Sequence, residues 1–579
     1  MYVNPTRWDD NRLKWWQNIL IYEIYPQSFF DSDGNGMGDL KGIQQKIEYL
    51  KELKVGAVWL NPFFKSPMKD NGYDISDFRN VDPQFGTMQD FKQMLHTLTE
   101  NDIELILDFV PNHTSDQHEW FKKSSIKGLE QEQYADYYIW KDPKEWKDGK
   151  PVPPNNWTSM FAKENPGSAW EWNDSRKQFY FHTFMVEQPD LNLRNKQVIQ
   201  ELKDILKFWM DLGVKGFRFD AVPHLIEDEQ FRDEEPHSPQ HTQNQPETYE
   251  LITEFRSFFD AYSKKNSVDI FMTTEAYCNP EATLEYYGSY KKPGAHFPFN
   301  FLLLTDVNAG TDAKSLNETV YNYLDTLTPV QYPNWVSGNH DWPRIPSRMG
   351  YSSTVDIINT LSLLLPGSST VFMGDEIGMD SNWRMNKDEC PAGVRDDYRT
   401  PTRAPFQWSA DKNAGFTKAN KPWIPINPEY YHINVATQRK RSLSGSSITH
   451  LTNFKALMAI KKKLDFAENE VETFVLDDYV FAFTRQVKYQ LYVILINLGG
   501  TTSKSFKLAK AIPKLKNATQ GGIPVRSVNL AEECMNSVQC TEKLSHSGFE
   551  MPPKSSMVLM YTLQRNMDIQ SRFRRRPEF

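Results

Sequence analysis

The chain has 579 residues, of which 39 % are hydrophobic and 24 % are charged, as in ordinary soluble globular proteins. This length exceeds what one compact core accommodates and predicts two or three domains. The net charge of −9 argues against nucleic acid as a partner, because nucleic acids are bound by basic surfaces. No apolar run reaches the roughly 20 residues of a transmembrane span, and the opening MYVNPTRWDDN lacks the apolar core of a signal peptide.

A repeated pattern then follows along the chain. Four times an amphipathic helix and a short turn lead into an apolar strand that ends in polar residues. Buried polar groups are costly, so such endings make sense where parallel strands deliver side chains to one common mouth. This arrangement is the C-terminal face of a (β/α)₈ barrel, the fold that we predict. The four strand endings are AVWLNPF (57–63), LILDFVPNH (105–113), GFRFDAV (216–222) and DIFMTTEAY (269–277).

The alternation of strands and helices is interrupted once and ends before the C-terminus. The interruption is polar and rich in Trp, Lys and Pro, and it is too long for a simple loop. From about residue 472 the apolar period changes to two, which predicts antiparallel strands. The predicted domains are a barrel (1–113 and 185–471), an inserted subdomain (114–184) and a C-terminal β-sandwich domain (472–579). Residues 226–245 are predicted to form a loop over the barrel mouth, with a plain surface loop as the alternative.

Cysteines and aromatic residues leave two alternatives open. None of the four cysteines belongs to a CxxC or Cys/His motif, which argues against zinc, but Cys534 and Cys540 could form a disulfide in an oxidising compartment. Several aromatic residues of the insertion suit either sugar stacking or an ordinary core; they are Trp157, Trp170, Trp172 and Tyr180. Triplets that match the N-glycosylation acceptor begin at Asn156, Asn173, Asn317 and Asn517.

A glycine-rich acidic segment follows the first predicted strand. In Asp31-Ser-Asp33-Gly-Asn35-Gly-Met37-Gly-Asp39, oxygen-bearing side chains alternate with glycines, as in loops that wrap a hard cation. An EF-hand would need a glutamate at the twelfth position, where this chain has Gly42. We therefore expect a structural Ca²⁺ site of another kind, with Mg²⁺ as a second choice and a simple acidic turn as the alternative.

Two strand endings carry the carboxyl groups that glycosidic cleavage requires. In a retaining mechanism one carboxylate attacks the anomeric carbon while the other protonates the leaving oxygen. Asp220 and Glu275 fit these roles, and Arg218 lies on the same face of its strand as Asp220, where its charge would keep Asp220 ionised. A structural ion pair is the alternative for Arg218 and Asp220. His340 and Asp341, in Gly-Asn-His-Asp, could bind sugar hydroxyls, or else form a capped turn.

These motifs resemble the signature segments of the α-amylase glycoside hydrolase family, in the expected order. The segments are Asp108–His113, Gly216–Asp220, Glu275 and Asn339–Asp341. The sequence Gln188-Pro-Asp-Leu-Asn is similar to a fifth segment, which marks the α-glucosidase and oligo-1,6-glucosidase branch. The likeness covers about the whole chain and is closest to insect maltases and sucrose hydrolases.

The resemblance implies a role for each site residue. Asp220 would be the nucleophile, Glu275 the general acid/base and Asp341 the stabiliser of the transition state. Asp70 and Tyr73 would close the pocket, with Arg403 as the arginine paired with Asp70; Arg399 is a second candidate, since Arg403-Ala-Pro departs from the family's Arg-Thr-Pro. The implied substrate-binding set is Asp70, Tyr73, His113, Gln188, Arg218, His340 and Arg403. The implied metal ligands are Asp31, Asp33, Asn35, the Met37 carbonyl and Asp39.

The function implied is that of a secreted, exo-acting, retaining α-glucosidase. Its substrates would be sucrose, maltose and short oligosaccharides, because Ala221 stands where relatives that prefer α-1,6 bonds carry Val. The Arg-Leu-Asp-Arg-Asp pattern of sucrose isomerases is not found in the sequence, which favours hydrolysis over isomerisation. Two alternatives stay open: a non-catalytic or receptor-type relative similar to transporter heavy chains, and a transglycosylase with the same site. The signal peptide is expected to have been removed; membrane association and oligomeric state stay open.

Overall fold

The computed structural model describes residues 13–126, 129–161, 167–235, 238–328, 330–385, 399–443, 448–464, 468–530 and 550–564. Cys390, Cys534 and Cys540 lie outside these ranges, and with them the predicted disulfide. Cys278 carries a free thiol.

Eight parallel strands form the central barrel, as the strand endings predict. Neighbouring strands follow the order 6-5-4-3-2-1-8-7, and strands 7 and 6 meet through Asn334, whose side-chain amide donates to the Pro298 carbonyl at 2.8 Å. The barrel strands 1 to 8 are Leu20–Ile24, Ala57–Leu60, Glu104–Phe109, Gly216–Phe219, Phe271–Thr274, Phe297–Pro298, Asn334–Val336 and Ser368–Phe372.

Helices cover the outside of the barrel with their apolar faces inward. The helix Lys196–Asp211 shows why: Val198, Leu202, Ile205 and Trp209 recur at helical spacing and are buried against the barrel. The other covering helices are Leu40–Gln45, Ile47–Glu52, Met88–Thr99, Pro246–Asn266, Pro280–Glu285, Leu302–Thr305, Ala313–Thr326, Ile345–Met349, Thr354–Leu364, Val435–Leu443 and His450–Lys463.

The segment between barrel strand 3 and its helix carries a small three-stranded sheet with an aromatic core. Trp157 and Trp170 are 1 % and 3 % exposed, and both pack with Phe181. These tryptophans are therefore core residues, and the suggestion that they stack on sugars is wrong. The short elements of this segment are Glu119–Ser124, Trp140–Lys141, Glu145–Lys147, Lys150–Val152, Trp170–Asn173 and Gln178–Phe181.

The C-terminal domain is antiparallel, as the period of two predicts. Its alternation buries both faces of the sheet, since Phe481 and Phe483 join the core of the barrel while Val480 and Ala482 join a separate cluster. The described residues form one five-stranded sheet where the sequence predicted a sandwich. Its strands are Glu468–Val475, Val480–Val487, Gln490–Asn497, Ala518–Arg526 and Ser555–Leu563. None of the described helices is long and apolar enough to cross a membrane.

Candidate active site

One guanidinium gathers three carboxyl groups at the C-terminal end of the barrel. Arg218 on strand 4 lies in register with Asp108 on strand 3, and its Nη1 donates to Asp108 at 2.7 Å. The same nitrogen donates to Asp220, and Nη2 lies 2.9 Å from Glu275. Arg218 is 1 % exposed, so the cluster is shielded from solvent. The structure thus brings Asp220 and Glu275 to opposite nitrogens of one side chain.

Burial dominates the ionisation of these groups. It raises the pKa of both Asp220 and Glu275, while the Arg218 charge acts against it in each case. The predicted effect of the Arg218 charge on Asp220 is therefore present but smaller than that of burial, because the net shift of the Asp220 pKa is upward. Three carboxyl groups around one guanidinium cannot all lose their protons cheaply, so the cluster retains a proton to unusually high pH.

The residue that follows Asp220 has an unusual backbone conformation. Ala221 adopts φ 48° and ψ 38°, the left-handed region that costs a non-glycine residue free energy. In this conformation its N–H donates to Glu275 Oε2 at 3.0 Å. The backbone turn after strand 4 therefore helps to orient the carboxyl at the end of strand 5.

A chain of buried hydrogen bonds holds His340. Its Nδ1 lies 2.5 Å from Glu23 Oε1, and its Nε2 lies 2.8 Å from the Tyr73 hydroxyl. Burial lowers the pKa of His340 to about 3 and raises that of Glu23 well above its usual value. Both pKa shifts favour a neutral pair. In this pair the protonated Glu23 carboxyl donates a hydrogen bond to Nδ1, and Nε2–H donates a hydrogen bond to the Tyr73 hydroxyl.

The pKa of Asp341 is shifted in the opposite direction to the pKa values of Asp220 and Glu275. Burial acts to raise its pKa, but its polar and charged neighbours, Arg399 and Arg403 among them, outweigh burial and lower it well below the usual range. Arg403 Nη2 lies 2.9 Å from Asp341 Oδ1, and Arg399 Nη1 lies 3.3 Å from the same oxygen. Asp341 is therefore held in its anionic form.

The partner of Asp70 is Arg399. Its Nη2 donates to Asp70 Oδ1 at 3.0 Å, while Arg403 binds Asp341 and the His340 carbonyl. The first choice from the sequence, Arg403 on Asp70, is corrected to the second candidate. Ala404, which stands where the family has Thr, cast doubt on Arg403. It did not indicate that Arg399 binds Asp70, because that contact depends on the path of the chain through space.

Gln188 connects two further residues of the predicted set. Its Nε2 lies 3.1 Å from Asp70 Oδ2 and 3.0 Å from His113 Nε2. Burial lowers the pKa of His113 to about 4, so the ring is neutral and Nε2 can accept from Gln188. His113 Nδ1 lies 2.8 Å from Asn112 Oδ1, which fixes the ring.

These residues surround a cavity of about 310 Å³ that has a buried end and an open mouth. At the buried end Asp70 and His340 are 4 % and 1 % exposed; at the mouth Met160 and Tyr277 are 39 % and 38 % exposed. A cavity of this size is at the small end of ligand sites. The wall consists of Asp70, Tyr73, His113, Met160, Phe161, Phe184, Asp220, Ala221, Pro223, His224, Gln243, Glu275, Tyr277, His340, Asp341, Trp342 and Arg399.

Two buried residues outside the predicted site set also support the site. Glu23 lies in the middle of the apolar strand 1, and Asn61, directly after strand 2, donates to Glu23 at 3.1 Å. A charged residue inside an apolar strand was a usable signal. No signal in the sequence indicated the apolar wall at the mouth, because Phe161 and Phe184 belong to loops whose position depends on the subdomain.

The predicted metal loop brings its acidic oxygens together. One oxygen from each of Asp31, Asp33 and Asp39 lies within 4.8 Å of the others. Asp39 also accepts from the Gly42 N–H at 2.7 Å and so caps the helix Leu40–Gln45. Carboxylate oxygens at this spacing suit a hard cation, so these residues fit Ca²⁺.

A second group of buried polar side chains lies around Asn112. Asn112 Nδ2 lies 3.1 Å from Asp190 Oδ2 and 2.6 Å from the His224 carbonyl, and a buried Glu227 oxygen nearby has no partner among the described residues. Burial raises the pKa of Asp190 to about 7 and that of Glu227 well above its usual value. Such a pair of buried carboxyls has to hold a proton or a cation. Glu227 was missed because it follows the motif in an irregular loop.

Comparison with known proteins places this geometry in a family. Maltase 1 of Drosophila virilis is 40 % identical over 525 residues, covering 86 % of this chain and 81 % of that protein. Salivary alpha-glucosidase of Aedes aegypti is 40 % identical over 512 residues, covering 84 % and 86 %. A solved structure of a MutB mutant in complex with the substrate sucrose matches with a TM-score of 0.81 at 27 % identity, over 95 % of this chain and 100 % of that one.

The sequence model of the family 'Alpha amylase, catalytic domain' matches residues 23–469. This range includes all eight barrel strands except the first residues of strand 1. The fold, the strand-end carboxyls and this match agree, and the chain belongs to the alpha-amylase family of glycosidases.

Proposed function

We propose that this chain is an exo-acting, retaining α-glucosidase that hydrolyses terminal α-glucosyl bonds of sucrose, maltose and short oligosaccharides. The observation that carries the proposal is the shape of the cavity: Asp220 and Glu275 line it, and the Asp70–Arg399 pair lies at its buried end. A cavity that is closed at one end accepts chain ends and excludes the interior of a polymer.

The first step makes a covalent glucosyl ester. An ionised Asp220 oxygen attacks the anomeric carbon while Glu275 gives its proton to the leaving glycosidic oxygen. The anionic Asp341 and the other carboxyls favour retention of the proton on Glu275, since negative neighbours raise its pKa. Arg218 lies against both groups and orients the nucleophile.

The second step returns the enzyme to its starting state. Glu275, now ionised, takes a proton from water, whose oxygen attacks the anomeric carbon and releases Asp220. Asp341 stabilises the positive charge that develops on the sugar ring in both steps. His340 and His113, held neutral by burial, line the cavity without adding charge.

Three features of the relatives support the choice of substrate and location. The chain is similar to proteins named maltase and salivary alpha-glucosidase and to a structure that binds sucrose. We infer a secreted glycoprotein, since a salivary enzyme is an exported one. A transglycosylase with the same residues would differ only in the acceptor of the glucosyl unit, and analysis of products on sucrose, maltose and trehalose separates the two.

Ca²⁺ is proposed as a structural ion held by Asp31, Asp33, Asn35, the Met37 carbonyl and Asp39. The support is the convergence of three carboxylate oxygens in the loop that leads into the helix Leu40–Gln45. Bound there, the ion would neutralise repulsion among the carboxylates and hold the loop, without contact with the substrate.

Asp220→Asn tests the catalytic role directly. Because the amide cannot form the glucosyl ester, kcat for p-nitrophenyl α-glucoside should fall at least about 1,000-fold, with thermal stability retained. Asp102→Asn is the matched control, since this exposed aspartate lies in the turn before strand 3, away from the barrel's C-terminal end. Equal activity of both variants, or no turnover by the wild type on any α-glucoside, would refute the proposal.

Glu275→Gln tests the acid through pH dependence. Wild-type kcat/KM for maltose should fall as pH drops through the pKa of Asp220, which must be ionised, and as pH rises through that of Glu275, which must be protonated. With α-glucosyl fluoride, whose leaving group needs no proton, both the wild type and the variant should lack the alkaline limb of the profile, and the variant should lose far more kcat/KM on maltose than on the fluoride. An alkaline limb that persists unchanged in the variant would assign it to another group.

Chelation tests the structural ion. Removing Ca²⁺ should lower Tm by about 2–5 °C, because a ligand that binds only the folded state stabilises it by mass action, while kcat stays within about twofold. Asp33→Asn should abolish the Ca²⁺-dependent rise in Tm, and Asp102→Asn should keep it. Loss of turnover with the fold intact after chelation would show that the ion takes part in catalysis.

A further inference from the structure

The mouth of the cavity is where the leaving group must lie. The buried end holds the terminal glucosyl unit under the proposed function, so the group released by Glu275 extends past the carboxyls towards Met160 and Tyr277. Every contact that distinguishes sucrose from maltose has to be made there, because the two share the same glucosyl unit.

The wall of the mouth is largely apolar. Met160, Phe161, Phe184 and Pro223 offer a leaving sugar dispersion contacts but no strong hydrogen bond, and Trp342 adds a single indole N–H donor. A sugar that binds only to apolar surfaces loses hydrogen bonds to water without replacement. The polar side chains of the described mouth therefore decide which leaving group is accepted.

Two of those polar groups are already engaged. Tyr277 receives a hydrogen bond from Asn339 at 2.5 Å and stacks on Phe301 with ring centroids 4.2 Å apart. His224 is kept neutral by burial, which lowers its pKa to about 4; its Nδ1 is closed off from the cavity, and its ring packs against Phe184 with centroids 5.5 Å apart. Both side chains are held in place by the protein.

Gln243 is different. Its Nε2 contacts the Met160 sulfur at 3.7 Å, a weak acceptor, and its Oε1 has no hydrogen-bond partner among the described residues. Its amide therefore offers a donor and an acceptor at the same point of the mouth. A carboxamide with both groups matches two neighbouring sugar hydroxyls, one of which accepts and one of which donates.

The backbone that carries Gln243 is fixed to the segment after the nucleophile. The Asn244 N–H donates to the Pro223 carbonyl at 2.8 Å, and Asn244 Oδ1 accepts from the Tyr286 hydroxyl at 2.8 Å. Gln245 Nε2 also donates to the Gln243 carbonyl at 3.0 Å. The side chain thus projects from an ordered backbone close to Ala221, which lowers the entropy lost on binding.

The remainder of this loop is fastened to the inserted subdomain. The Asn156 amide donates to the Glu234 carbonyl and accepts from the Glu234 N–H, each at 2.8 Å. Glu234 Oε1 in turn accepts from the N–H groups of His241 and Thr242, both at 3.1 Å. Subdomain and loop therefore hold Met160 and Gln243 next to each other at the mouth.

We propose that Gln243 binds hydroxyl groups of the leaving sugar and determines which disaccharides the enzyme prefers. This inference rests on the proposed α-glucosidase activity. The amide acts by positioning the leaving sugar for proton transfer from Glu275, so its effect falls on substrates whose leaving group is a sugar.

The test compares Gln243→Met, which keeps the length of the side chain but removes both hydrogen-bonding groups, with Gln240→Met. Gln240 is an exposed glutamine of the same loop that does not line the cavity. Each protein is assayed on sucrose, maltose and α-glucosyl fluoride, whose leaving group is a single atom. In Gln243→Met the ratio of kcat/KM for the better disaccharide to kcat/KM for the fluoride should fall about three- to tenfold, the effect of one or two uncharged hydrogen bonds.

Gln240→Met should leave that ratio unchanged. A ratio that is equally unchanged in Gln243→Met, or a parallel loss on all three substrates, would overturn the role of Gln243 in binding the leaving sugar. Gln243→Ala repeats the test if the methionine variant does not fold. Absence of wild-type turnover on all three substrates would refute the α-glucosidase activity itself, so the two failures are distinguishable.

Discussion

The buried guanidinium of Arg218 is the interaction on which the site depends. It pairs with Asp108 inside the barrel and with Asp220 and Glu275 at its rim, and so links the barrel core to the chemistry. A buried charge without partners costs several kcal/mol, so this arginine and its carboxyls stabilise one another only as a set. The same set holds more negative than positive charge, which favours the retention of a proton where a general acid needs one.

The cavity combines a rigid end with a variable one. At the buried end, Gln188 and Arg399 hold Asp70 by hydrogen bonds to both of its oxygens, which makes this end rigid. At the mouth, the walls come from the inserted subdomain and from residues 226–245, which are joined through Asn156 and Glu234. Catalysis and selection of the leaving group are thus assigned to different parts of the chain: strand ends for the first, loops for the second.

Much of the fold followed from short-range patterns in the sequence. The polar endings of strands 2 to 5 predicted the barrel because parallel strands must deliver their ends to one face, and the period of two predicted the C-terminal sheet. Asp220 and Glu275 were found for the same reason. The buried hydroxyl and imidazole that join Tyr73 to His340 were also within reach, since both belong to recognisable segments.

Contacts made by loops were beyond such patterns. Arg399 and Arg403 are four residues apart in sequence, and only the path of the chain decides that Arg399 meets Asp70 while Arg403 binds Asp341. Trp157 lies in a polar stretch, yet the subdomain folds around it and leaves it 1 % exposed. Composition describes the neighbours of a residue in sequence, whereas burial depends on its neighbours in space.

The central claim is that an Asp220 oxygen forms a bond to the anomeric carbon during turnover. It is tested most directly by incubating the enzyme with 5-fluoro-α-glucosyl fluoride, which slows hydrolysis of the glucosyl ester, and mapping the label by peptide mass spectrometry. The account predicts one fluoroglucosyl group, on the peptide that contains Asp220, and reactivation as the ester hydrolyses. A label on any other side chain would contradict it.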